Sequence, residues 1–550
     1  MLQSWLPTAV AALPLRPLVV VVTVVAVLAA VRRLAGRRLA APLRRRLLLG
    51  LPWGTLLTMA LVAAIYLFVQ GAWWHPRPLV TPFRTWSYFY PLGMVTGAFT
   101  HGSVGHVTGN LLGTLVFGTV VEYAWGHYPQ RRGVQSFTGL RTNPFARILA
   151  VPAAMIAVGL FTGLFAIGPV VGFSGVVFAL GGFALVARPY LFLGALLASR
   201  AVDQVYVALR FPQPTVGGST RFVTPWWADI AIQGHAIGLL AGVLLAGALT
   251  LARDEPTRPA RVFFAALVYA VSRGLWAVYV PVGGGEYTLY RWLGTGLVFL
   301  LALLVATATA RRGRDLVPEF ERDAGSLATL AVVVALCSLC LAAVPANLAT
   351  IEDAEVPDEG IEVEGYTVAY AEDVRNEYAA SIWTPLGIGE SRTNISTSGV
   401  IVANADREIW IRTVPKGRLA VNQRATVVVG GVGWREPVYA NRSGWNVLGN
   451  DTVYRVQLRR AGGPRRTAYT SPPSTADATV AGRNVTLRAA ETGFRVAVSR
   501  GNETIATGPL PANMSSRSVG GLTIERNRTR IYASTNDTRV RIARARRPPD

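Results

Sequence analysis

A glycine-flanked serine, three histidines and one asparagine carry most of the chemistry this sequence offers. Gly172-Phe173-Ser174-Gly175 opens an apolar run that continues through Leu180. A hydroxyl there has little water to satisfy it, so it is either bonded to its own helix or kept for reaction. In His101-Gly102-Ser103-Val104-Gly105-His106-Val107-Thr108-Gly109-Asn110, the residues His106 and Asn110 stand four apart and share a helix face. His235 lies in a row of small residues, Gly234, Gly238, Gly242 and Ala246, whose spacing lets a neighbouring helix approach closely. Ionisable groups in apolar spans are functional candidates by default. If the neighbour carries Ser174, an alcohol and an imidazole can meet. Otherwise the row is a packing seam whose histidine bonds to backbone. His101, His106 and His235 also raise zinc, but there is no HExxH, and the nearest carboxylate in sequence, Asp229, falls off the His235 face. We expect neither metal nor cofactor.

The elements that would position these residues are membrane spans. The 550-residue chain is 51% hydrophobic and 15% charged, the balance of a polytopic membrane protein carrying a soluble part. Its net charge of +23 comes from arginine, Lys416 being the only lysine, and no interleaved basic and aromatic motif points to nucleic acid. Apolar runs occur near 17–31, 47–70, 104–125, 146–168, 172–187, 190–209, 227–251, 262–280, 288–310 and 326–346. Dense arginine follows the first run instead of preceding it, which reads as an uncleaved helix. Cys337 and Cys340 sit inside an apolar run and read as helix filling. Arginines at 32–46, 131–141, 188, 253–258 and 311–314 fall on alternate loops, which assigns those loops to the cytoplasm and both termini to the outside.

From Ile351 onward the hydrophobicity collapses. Short Val/Thr/Arg runs such as 424–429 and 538–542, separated by Gly and Asn clusters, predict a β-rich domain. Eight of its twelve asparagines are sequons, Asn394, Asn441, Asn450, Asn484, Asn502, Asn513, Asn527 and Asn536, whereas the first 350 residues contain none. That asymmetry marks an exported surface and a candidate glycoprotein. The expected division is therefore 1–46 as an extra helix with a basic loop, 47–252 as a core, 253–350 as additional transmembrane helices and 351–550 as an extracytoplasmic β-rich domain. The expected location is the cell membrane, crossed many times.

The ordered set of motifs resembles the rhomboid intramembrane serine proteases. It comprises a histidine, a second five residues later, an asparagine four after that, then GxSG, then a histidine in a glycine-rich later helix. Gly118-x3-Glu122-x3-Gly126 matches the family's GxxxExxxG motif, and Phe178 stands where the family has an aromatic against the catalytic histidine. The likeness spans about 47–251, a six-helix core. The family's Trp-Arg pair is not at its usual distance before His101, where Leu92-Gly93 stands.

The resemblance implies a serine endopeptidase in which Ser174 is the nucleophile and His235 the general base, with Gly172, Phe178 and His101 in support. The oxyanion would be held by His106, Asn110 and the Ser174 backbone N–H. Phe178 packing would replace an acidic third member. A neutral imidazole is required, so activity is expected at neutral pH and lost in acid. The partners implied are the bilayer and a transmembrane substrate helix, cut near its outer end. A catalytically silent relative that binds membrane helices is the alternative. Glu122 reads as a helix-end carboxylate bonded to nearby backbone or arginine. Substrate identity and oligomeric state are not encoded legibly.

Overall fold

The computed structural model describes residues 40–129, 137, 139–210, 231–253, 257–283, 286–310, 324–348, 350–351, 360–375, 396–449 and 451–545, with scattered positions among the first 39. The expected first span, the loop at 211–225, Asp229 and the sequons Asn394 and Asn450 lie wholly or largely outside these residues. Two compact units emerge. One holds the described residues of Met1–Thr85, Leu92–Gly218 and Ile230–Val344, the other those of Trp86–Pro91 and Pro345–Asp550.

The first unit is helical. Its main helices are α1 (Trp53–Ala64, continued by a π turn over Ile65–Val69), α2 (Val104–Trp125), α3 (Pro144–Leu164), α4 (Ser174–Ala187), α5 (Pro189–Arg210), α6 (Ile232–Ala252), α7 (Pro259–Ser272), α8 (Arg291–Ala308) and α9 (Ala324–Leu348). Helices α2, α3, α6, α8 and α9 are long and apolar enough to cross a membrane. The sequence dictates their ends. Ser103 caps α2 by accepting from the His106 N–H at 3.2 Å, and Asn143 caps α3 by accepting from the Phe145 N–H at 2.9 Å. Pro189 starts α5 directly after α4, between the apolar runs at 172–187 and 190–209.

The run expected as one span over 262–280 divides instead. Helix α7 stops at Ser272, Gly274 takes φ +69°, and a hairpin of β1 (Val278–Gly283) and β2 (Glu286–Tyr290) follows. A left-handed glycine ends a helix at little cost, and the Val and Tyr residues beyond it suit a strand as well as a lipid-facing helix. Apolar content alone cannot separate the two.

The C-terminal end of α2 is fastened by guanidinium groups. Arg46 donates to the Ala124 carbonyl at 3.0 Å, Arg253 to the carbonyls of Ala124 and Trp125 at 2.6 and 2.7 Å, and Arg147 to those of Trp125 and Gly126 at 2.8 and 2.9 Å. These carbonyls have no partner within the helix, and the macrodipole favours cations there. Arginines that indicate sidedness in the sequence are thus helix caps as well.

The second unit is β-rich and entirely antiparallel. One four-stranded sheet runs β3 (Ile361–Val363), β4 (Tyr366–Arg375), β5 (Ser396–Asn404), β6 (Ile409–Pro415). The remaining strands are β7 (Arg424–Gly431), β8 (Trp434–Val447), β9 (Thr452–Arg460), β10 (Arg466–Thr470), β11 (Ser474–Thr475), β12 (Asn484–Ala490), β13 (Gly493–Arg500), β14 (Glu503–Pro509), β15 (Ser515–Val519), β16 (Leu522–Asn527), β17 (Arg530–Ser534) and β18 (Arg539–Ala545). They form an eight-stranded sheet, ordered β10-β9-β8-β18-β17-β16-β15 with β7 also on β8, and a second four-stranded sheet β11-β12-β13-β14.

The two larger cores of the unit result from the alternation of side chains along the strands. Val368, Val400 and Ile409 pack with Val427, Val438 and Val456, while Val485, Val496 and Val498 pack with Trp445, Ile524 and Ile531. The long strand β8 therefore serves both. Trp86 joins the first core at 1% exposure, and the Asn347 carbonyl accepts from the Tyr88 N–H at 2.9 Å and the Ser87 hydroxyl at 3.1 Å. Six residues of a loop expected with the helical core thus pack in the β unit.

Candidate active site

Ser174 is the first residue of α4 and His235 lies in the first turn of α6. The two helices touch through glycine. A Cβ at Gly238 would collide with the Gly175 carbonyl oxygen, one at Gly242 with that of Ala179, and one at Gly182 with that of Leu239. Backbone-to-backbone packing of this kind is open only to the smallest residues. It brings the Ser174 Oγ to 2.7 Å from His235 Nε2. With the hydroxyl donating, Nε2 is the lone-pair nitrogen and the ring proton sits on Nδ1. Phe178, one turn along α4, stacks on the His235 ring at a centroid distance of 4.2 Å and an interplanar angle of 8°. Gln233 steadies the entry of α6, accepting from the Ile167 N–H at 3.1 Å and donating to the Phe165 carbonyl at 2.6 Å and the Leu339 carbonyl at 2.8 Å.

His101, His106 and Asn110 gather on the other side of the Ser174 loop. The His101 ring is buried; its Nε2 accepts from the Asn110 amide at 3.0 Å and from the Phe173 N–H at 3.3 Å. The His101 and His106 rings meet edge to face at 5.0 Å. Gly172 has φ +123°, and a Cβ there would stand 2.6 Å from the His106 ring and 3.4 Å from the Asn110 amide. Glycine is required twice over, by conformation and by space. Among the described residues no hydrogen bond joins His106 or Asn110 to Ser174, and no group of three or more His, Cys, Asp or Glu side chains converges as a metal site.

Several positioning residues gave no signal in the sequence. Gln70 accepts from the His101 N–H at 2.8 Å and donates to the carbonyls of His101 and Leu79 at 2.9 and 2.8 Å, fixing the backbone that carries the histidine. Arg84 donates to the Pro169 carbonyl at 2.7 Å, Thr85 Oγ1 donates to that of Gly168 at 2.8 Å, and the Gly172 N–H donates to that of Gly97 at 2.9 Å. These bonds tie the segment before α2 to the one before Ser174. A lone Gln or Thr at an element end has no motif around it to mark it.

The dyad opens onto a cavity of about 30 Å3 lined by Ser174, His235, Gly172, Gly175, Gly163 and Ala231 among others. That volume admits a water molecule beside the hydroxyl. The first-turn N–H groups of α4 have no partner within the helix and point out of its N-terminus, beside the Ser174 hydroxyl.

Glu122 is remote from this cavity and fully buried. Its carboxylate accepts from the N–H groups of Gly54 and Thr55 at 2.8 Å each, from the Thr55 hydroxyl at 2.7 Å and from His127 Nε2 at 2.6 Å, while His127 Nδ1 accepts from the Leu48 N–H at 2.8 Å. The carboxylate caps α1 from a different helix. Backbone is its partner, as the sequence suggests, joined by a histidine and not by arginine.

The fold and this constellation define a class. Residues 88–252 match the family model of the Rhomboid domain, in a polytopic helical membrane protein with a β-rich C-terminal region. No curated protein and no solved structure matches it.

Proposed function

We propose that the protein is an intramembrane serine endopeptidase acting on a transmembrane polypeptide through a Ser174/His235 dyad. The observation that carries this reading is the 2.7 Å approach of Oγ to Nε2 across a seam of glycines from two distant spans. In the reaction the His235 Nε2 lone pair takes the hydroxyl proton as Oγ attacks the scissile carbonyl carbon. The resulting oxyanion lies against the Ser174 N–H, with His106 and the second amide hydrogen of Asn110 as further donors. The imidazolium then protonates the departing amine, releasing one product and leaving an ester on Ser174. Water from the adjoining cavity gives a proton to His235 and attacks the ester carbonyl; as the C–Oγ bond breaks, His235 returns that proton to Oγ, restoring the serine and releasing the second product as a carboxylic acid. Phe178 holds the ring plane that an acidic residue fixes in soluble triads. A substrate helix must unwind to present its amide, so weak helix formers near its outer end favour cutting. The arginine pattern and the sequons support an extracytoplasmic C-terminal domain in the cell membrane.

The test compares the intact chain with Ser174→Ala in proteoliposomes, on a reporter whose transmembrane segment carries glycine near its outer end. Cleavage by the intact chain and none by the variant is expected. Equal cleavage by both removes the assignment.

A further inference from the structure

Where β8 passes from its pairing with β7 to its pairing with β18, the β unit has a groove of about 670 Å3. Its lining includes Arg424, Arg442, Arg455, Arg495 and Arg526 and no carboxylate. Unbalanced positive charge in a concave site is costly to assemble and attracts anions. Three of these arginines are positioned by rings instead of by acids. The Arg442 guanidinium lies 3.8 Å from the Tyr454 ring centroid, that of Arg455 5.9 Å from Phe494, and that of Arg526 5.2 Å from Trp445. Cation–π stacking fixes a guanidinium plane while leaving its N–H edge uncommitted.

Part of that edge is uncommitted here, although Arg455 Nη1 donates to the Glu491 carbonyl at 2.7 Å. The Nε atoms of Arg442, Arg455 and Arg526 are all buried and, among the described residues, have no hydrogen-bond partner. Buried donors without acceptors are rare in folded proteins and cost free energy unless something external supplies the acceptor. Carboxylates match the arginine fork in geometry as well as charge.

We propose that this groove binds an acidic stretch of polypeptide, its Asp and Glu carboxylates pairing with Arg442, Arg455 and Arg526. That the ligand is a polypeptide, and specifically the part of a substrate lying outside the membrane, rests on the peptidase reading above. The groove then recruits substrates, and the dyad cuts them.

The test measures fluorescence anisotropy of a short labelled Asp/Glu-rich peptide with the full chain in detergent, against an Asn/Gln peptide of equal length, sodium polygalacturonate and inorganic polyphosphate. Salt-sensitive binding of the acidic peptide alone is expected. Combined Arg442→Gln, Arg455→Gln and Arg526→Gln substitutions weaken it at least about tenfold, and the three Arg→Lys changes weaken it less, keeping the charge but losing the fork. Undiminished binding by a glutamine variant with a normal thermal transition overturns the proposal. So does tighter binding of the polysaccharide or the polyphosphate than of the peptide. Should the glutamine variant lose its transition, the lysine variant decides, and unaltered affinity there overturns the proposal equally. Ser174→Ala binds the peptide as the intact chain does, so a failed peptidase reading and an empty groove are told apart.

Discussion

Ser174 and His235 are 61 positions apart in sequence and meet because glycine leaves room for them. Gly172 is the sharpest test of that economy. Gly172→Ala must find φ +123° and a place for a methyl group 2.6 Å from the His106 ring. It should lower kcat in the reporter assay by roughly a hundredfold, the loss typical of a displaced oxyanion donor, with the chain still folded. Glu122 makes the opposite prediction. Glu122→Leu leaves the donors of Gly54, Thr55 and His127 buried without an acceptor, at about 1–3 kcal/mol for each. A marked fall in thermal unfolding temperature should accompany it. These two residues were legible because each belongs to a spaced motif. Gln70 was not, although it holds the His101 backbone through three hydrogen bonds, since an isolated amide at a helix end is unremarkable in sequence.

Among the helices, the small-residue row at 234, 238 and 242 announced a close neighbour but could not say which helix it was. The resemblance pointed to the helix carrying Ser174, and that helix, α4, is the one the glycines meet. Gly238→Val inserts three carbons where the Gly175 carbonyl stands and must drive α4 and α6 apart. Cleavage should be abolished, and the unfolding temperature should drop. An insertion that left both unaltered would show that the seam does not hold the dyad. Among the described residues helix existence was readable because apolar runs of membrane length have few alternatives, whereas the stop at Ser272 was not. Strands such as β7 and β18 were visible through their Val/Thr content, and β7–β8 and β17–β18 are local hairpins, yet the pairing of β18 with the far earlier β8 leaves no local trace.

For the molecule as a whole, the β unit should respond to acid and to loss of Trp86. Burial pushes the Glu372 carboxyl up, but hydrogen bonds from Lys416, Tyr370 and Tyr454 outweigh it and hold it below its ordinary value of 4.5. A depressed carboxylate stabilises the fold above that value and loses the contribution as pH falls through its lower folded value. The thermal transition of the β unit should therefore fall as pH drops below 4.5, and Glu372→Gln should flatten that dependence. Trp86→Ala removes a fully packed indole from the first β core, a change that costs about 3–5 kcal/mol. Calorimetry of the intact chain should show the loss in the transition of the β unit. Nothing in the sequence ties Trp86 to strands that begin 275 residues later.

Lys416 reaches Glu372 at 2.6 Å while 43% of its side chain remains in contact with solvent. Because it is the only lysine in the chain, it gives acylating reagents a single side-chain amine to modify, the α-amino terminus aside. A sulfonated succinimidyl ester that cannot cross lipid, applied to whole cells, would tag this amine if the β unit faces the medium and spare it if the unit lies within. One mass-spectrometric peptide thereby reports sidedness.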